Sequence, residues 1–194
     1  MNLPEPQADH HTMEQARTMG EEPFDPIRSL ARHVAQMKAG PHNRGEYAAL
    51  ARLDPDAPRP HQLAALTRAL IAAGLNPGGN WRPETWRRWS YIAHGMALAG
   101  HKEGRLGTQL AEAELAESRV TRLLVARGEA LFQLLPRVLR LLASKSVQPN
   151  WHELGPLIGA SDADSQDSRM THDSSRRRIA GDYYSTVARS AKRA

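Results

Sequence analysis

The chain has 194 residues, no cysteine and a formal net charge of +5, enough for one sizeable domain or two small ones whose core needs no metal or disulfide. The missing cysteine excludes a disulfide framework and any cysteine-based zinc or redox site, in keeping with a cytoplasmic protein. No apolar run reaches the length of a membrane span, and the acidic N-terminus lacks the basic and apolar regions of a signal peptide.

The charge is unevenly spread. Residues 1–25 hold six acids and one arginine, residues 26–160 sum to +8, residues 161–175 to −3 and residues 176–194 to +5. The body is therefore more basic than the total, as suits a nucleic-acid or acidic partner. Of the 26 basic residues 22 are arginine, whose planar fork donates two parallel hydrogen bonds to phosphate; a GC-rich genome would raise arginine as well.

Residues 1–22 are polar, rich in Pro, Glu and His and without periodicity, which predicts a disordered acidic leader. From Phe24 the chain turns helical: Ile27, Leu30, Ala31, Val34 and Met37 share its face, and Gly40-Pro41 stops it. A short helix with Asn43 as a candidate cap follows, with Arg44 and Arg52 on nearly one heading, then a proline-rich loop over 54–60. His61 to Ala73 resumes with Leu63, Leu66, Leu70 and Ile71 facing inward.

Trp81, Trp86, Trp89 and Tyr91 are interleaved with Arg82, Arg87 and Arg88. Stacking on unpaired bases would use such a pattern. The helical spacing of Trp86, Trp89, Ala93, Met96 and Ala97 favours a core face instead, with Trp81 the least constrained. Gly95 to Lys102 imitates a phosphate-binding loop but fails, because His101 stands where the lysine belongs and no strand precedes it. Leu106 to Ala111 predicts a short helix with Thr108 as its cap.

Residues 117–143 hold the most organised pattern. Val120, Leu123, Leu124, Leu131, Leu134, Leu135, Val138, Leu141 and Leu142 recur at three- and four-residue steps. Along one straight helix, Arg119, Arg122, Arg137 and Arg140 would form a row roughly 27 Å long beside that face. Such a row is either a solvated surface or a track for a polyanion. Gly128 and Pro136 interrupt the stretch, so it reads better as two segments meeting near one of them, each with its own arginine pair. Arg127 lies nearer the leucine face and serves packing or a subunit contact.

Asn150 to Ile158 predicts a capped helix. Residues 161–175 are acidic, serine-rich and aperiodic, a flexible loop; Asp162 and Asp164 lack the glycine and glutamate of a calcium site. In the closing residues 176–194, a helix returns Ile179, Tyr183 and Val187 to the core of residues 23–160 and exposes Arg176, Arg177 and Arg178. No strand signal occurs, so the fold expected is all-α, a compact bundle of about seven or eight helices. No nucleophile turn, zinc-binding histidine pair or dinucleotide fingerprint points to an enzyme. A free-standing helical DNA-binding regulator would also be basic and α-helical, but no compact helix pair with a short glycine turn is evident.

Leu106-Gly107-x-x-Leu110-Ala111, Glu117-Ser118-Arg119-x-x-Arg122-Leu123-Leu124, Arg137-x-x-Arg140-Leu141-Leu142 and Asn150-Trp151-x-x-Leu154, in this order, resemble the CasB family, the small subunit of type I-E CRISPR Cascade. Arg44-Gly45-x-x-Ala48-x-Leu50-x-Arg52 and Ala180-Gly181-Asp182-Tyr183-Tyr184 extend the likeness outward. Ala51 and Gly181 replace arginines common in the family, Ile179 a common tryptophan, and residues 1–22 and 161–175 are additions. The resemblance implies a non-catalytic, cofactor-free and metal-free subunit, present with a second copy of itself beside the backbone and large subunits. It implies contact with crRNA, target DNA and the displaced strand. The residues expected to make it are Arg119, Arg122, Arg137 and Arg140, then Arg44 and Arg52, then Arg176, Arg177 and Arg178.

Overall fold

Apolar positions spaced three and four apart run through most of residues 24–159, and each such run folds as a helix that buries them. The computed structural model describes residues 24–159 and 166–193. The leader expected over 1–22 lies outside them. Among the described residues there are nine helices and no strand. The first four are α1 (Pro26–Ala39), α2 (Arg44–Ala51), α3 (Pro60–Ala72) and α4 (Pro83–Ala99). They are followed by α5 (Leu106–Glu112), α6 (Glu117–Val125), α7 (Gly128–Ser144), α8 (Trp151–Gly159) and α9 (Gln166–Ala191). The all-α expectation holds, with a slightly higher helix count.

Helix α4 is the hub, packing against α1, α2, α3, α7 and α8. Its buried Ile92, Ala93 and Met96 set this face in the core. Trp89 is buried, while Trp81 and Trp86 are half-buried and pack on each other at 5.3 Å. Arg87 is held between Asp56 at 2.6 Å and Glu129 at 2.8 Å, over the ring of Phe132. Trp89, Tyr91 and Arg87 of this cluster are spent on packing and pairing. Leu63, Ile71 and Val187, expected to face inward, stay exposed.

The start of α9 corrects the acidic loop. Residues 161–165 lie outside the described set, but 166–175 are helical, so α9 begins ten residues before Arg176. Asp173 is fixed by Arg127 at 3.1 Å. With α9 extended backward, Arg176 falls three residues before Ile179 and seven before Tyr183, on the inward face. It is only 6% exposed rather than displayed.

Two polar devices join the halves. The expected cap of α5 is corrected: Thr108 lies inside the helix, its hydroxyl on that of Thr186 at 3.3 Å. The α5 terminus is held instead by Glu153 of α8, whose Oε2 accepts from the Leu106 N–H at 2.7 Å while Oε1 pairs with Arg178 at 3.3 Å. Asn150 caps α8 as expected, accepting from the His152 N–H at 3.0 Å. Gly107 lets α5 meet α9 backbone to backbone, since a Cβ there would collide with the Ile179 carbonyl.

Replacing Glu153 with Ala leaves the buried Leu106 N–H without an acceptor and Arg178 without a partner. A loss of roughly 1.5–3 kcal/mol is expected, read from the urea midpoint, with Glu153→Gln recovering most of it. An unchanged midpoint in the alanine variant contradicts this cap.

Candidate nucleic-acid interface

The leucine-rich stretch breaks just before Gly128, at extended Ala126 and Arg127, and not at Pro136. Gly128 takes φ +49°, a left-handed conformation that glycine enters without steric cost, and α6 ends at Val125 just before it. Pro136 stays inside α7, where it forfeits one backbone hydrogen bond. Burial of Leu131, Leu135, Val138, Leu139 and Leu142 on both sides of it keeps that helix going.

Arg127 secures the turn. Its Nη1 lies 2.9–3.1 Å from the carbonyl oxygens of Leu124, Val125 and Ala126, and its Nη2 donates to Asp173 at 3.1 Å. It caps the C-terminus of α6 and ties it to α9.

The break also decides where the arginine pairs go. Instead of one straight row, Arg119 and Arg122 from α6 and Arg137 and Arg140 from α7 line a single cleft of about 470 Å³, together with Leu115, Leu134 and Val138. All four arginines are exposed, and none has a hydrogen bond or ion pair with a described residue. Arg28, Arg68, Arg87, Arg105 and Arg127 differ, each having a carboxylate within 4 Å. Glu129 and Glu153 balance arginines as the sequence suggested, whereas Glu117 accepts from the Tyr184 hydroxyl at 3.2 Å.

The C-terminal tyrosine pair positions this cleft. The Tyr183 hydroxyl donates to the Leu115 carbonyl at 2.6 Å, fixing the residue that leads into α6 and forms part of the floor. Sequence periodicity marks Leu134 and Val138 only as core and gives no sign of Leu115 or Tyr183 at the site. Recurrence at i, i+4 shows that Leu134 and Val138 face inward, but nothing local shows that their neighbours leave a gap above them.

The remaining predicted residues divide. Arg44 and Arg52 are exposed at the two ends of α2, and Arg52 lines a separate recess of about 540 Å³ with Arg59, His61 and Asp54. His94 connects this region to the cleft: its Nδ1 lies 3.0 Å from the Leu50 carbonyl, and it feels the charges of both Arg140 and Asp54. Arg176 is buried, 3.8 Å from Asp173, with Nε and Nη2 unpartnered, and burial lowers its pKa. Arg178 is engaged with Glu153, leaving Arg177 as the member of that set exposed without a partner among the described residues. Among the described residues no group of three or more His, Asp or Glu side chains converges to hold a metal. No described helix is long and apolar enough to cross a membrane.

A family model described as CRISPR-associated protein Cse2 matches residues 46–184. That span contains the cleft, its four arginines and both C-terminal tyrosines. Comparison with curated proteins gives no match, and comparison with solved structures gives none either.

Burial first, then the charge of Arg140, holds the His94 imidazole below its usual 6.5, against the pull of Leu50 and Asp54. Stability from keeping it neutral is present above pH ~6.5 and is lost as the pH falls through the lower folded value. Arg140→Gln is expected to raise the His94 pKa in an NMR titration. An unmoved imidazole would show that Arg140 does not face it.

Proposed function

Because the chain belongs to the Cse2 family of CRISPR-associated proteins, the CasB small subunit of Cascade, we propose that it serves as a non-catalytic subunit that holds nucleic acid in the assembled complex. It stabilises the R-loop formed by crRNA and target DNA, together with the displaced strand, through arginine–phosphate contacts. The observation that carries this reading is the convergence of Arg119, Arg122, Arg137 and Arg140 on one cleft with no carboxylate to neutralise them. Backbone and large subunits and a second copy of the chain are its protein partners.

The energetics suit the role. Opening a DNA duplex and forming an RNA–DNA hybrid is nearly balanced, so a few backbone contacts tip it. Contacts to phosphate carry no sequence information, which matches a complex whose guide supplies specificity. Four guanidinium groups from two helices also follow a curved strand better than one straight row would. Arg52, with Arg59 and His61 beyond His94, extends the basic surface past the cleft.

The test is a Cascade complex whose small subunit carries Arg119→Glu, Arg122→Glu, Arg137→Glu and Arg140→Glu. The variant subunit is expected to be incorporated, while target affinity and R-loop yield fall by tenfold or more. A single charge-assisted hydrogen bond of roughly 1.5–3 kcal/mol already supplies that factor. Undiminished affinity with the subunit in place contradicts the proposal. Tight sequence-specific binding of duplex DNA by the isolated chain would point to a free-standing regulator.

A further inference from the structure

Phosphate contacts leave the apolar lining of the α6–α7 cleft unused. Its walls are the four arginines, but its floor is Leu115, Leu134 and Val138. Leu115 and Val138 are buried and Leu134 is half-buried, so the floor is continuous with the core. A phosphate gripped by guanidinium forks gains nothing from such a floor. Water resting there finds few hydrogen-bond partners. A ligand that complements the whole cleft has a flat apolar body between anionic groups.

A nucleotide has that form. The cleft volume of about 470 Å³ falls in the roughly 300–1,000 Å³ range of sites that enclose small molecules. A base can lie on the leucine floor, and guanidinium planes above it add stacking and cation–π attraction. Access sets the strand. In a duplex or a hybrid the base faces are covered by their neighbours, and extracting one costs its stacking and pairing. Of the strands of an R-loop, the displaced one presents bases free of pairing.

We infer that the cleft takes an unpaired nucleotide of the displaced DNA strand, its base on Leu134, which Leu115 and Val138 back from beneath, and its flanking phosphates on the arginine walls. This rests on the phosphate-holding reading above and adds that the subunit separates single strand from duplex by exposed base faces. Every base has such a face, so the preference is for strandedness and not for sequence. Leu134 is the side chain through which the floor acts most directly, being less enclosed than its two neighbours.

The experiment uses the full chain, a short single-stranded DNA and a strand of equal length built of abasic sugars, with binding followed by fluorescence anisotropy. The intact strand is expected to bind at least about fivefold more tightly, the low end of the range for one stacked base. Leu134→Gln is expected to erase most of that difference while leaving affinity for the abasic strand unchanged. Equal affinity of the native chain for both strands overturns the inference, whether or not the variant folds. So does an equal loss on both strands in a folded Leu134→Gln variant. The variant with glutamate at positions 119, 122, 137 and 140 separates the two readings. If it loses both strands while native protein ignores the bases, the phosphate contacts stand and the base site falls. If it binds both strands as the native chain does, the phosphate reading falls.

Discussion

The turn between α6 and α7, with Ala126 and Arg127 extended and Gly128 at φ +49°, sets the geometry on which the site depends. Without that turn, a continuous helix over residues 117–143 would spread the four arginines along one flank. With it, α6 and α7 bury their leucines separately and turn Arg119 and Arg122 toward Arg137 and Arg140 across a gap. The turn is reinforced from outside: Arg127 caps α6 and reaches Asp173, and Tyr183 of α9 holds Leu115 at the entry to α6. The C-terminal helix is therefore part of the site's framework although its own arginines are mostly engaged elsewhere.

Charge is partitioned accordingly. Arg87 and Arg127 are committed to carboxylates or helix ends, and Arg178 to the carboxylate that caps α5. Exposed pairs of this kind add little stability, typically about 0–1 kcal/mol, but they neutralise the surface where they stand. The cleft is left uncompensated. Like charges gathered beside an apolar floor concentrate positive potential, and a polyanion relieves their mutual repulsion. Leaving them unpaired costs the free subunit little, because all four are solvated.

Much of this was legible in the residues. The helical class, the capped α8, the core use of Trp89 and Met96, and the grouping of four arginines follow from period and spacing, which local sequence encodes. The meeting of those arginines across a cleft does not, because it depends on the turn over residues 126–128 and on where α7 then packs. Arg176 shows the same limit from the other side. The phase of α9 is set by a helix start at Gln166, inside an aspartate- and serine-rich stretch that resembles a linker, and the ion pair between Asp173 and Arg127 is long-range. The gap above Leu134 and the role of Leu115 are also tertiary facts, invisible to any pattern within α6 or α7.

The salt dependence of target binding tests the central claim most directly. Affinity of Cascade for its target is measured across a range of ionic strength, with the native small subunit and with Gln at positions 119, 122, 137 and 140. Each phosphate neutralised by an arginine contributes about 0.7–0.9 to the slope of log affinity against log salt. Removing all four charges together is expected to flatten that slope by about 3. Parallel lines would mean that these arginines touch no phosphate, and the account of the cleft would be wrong.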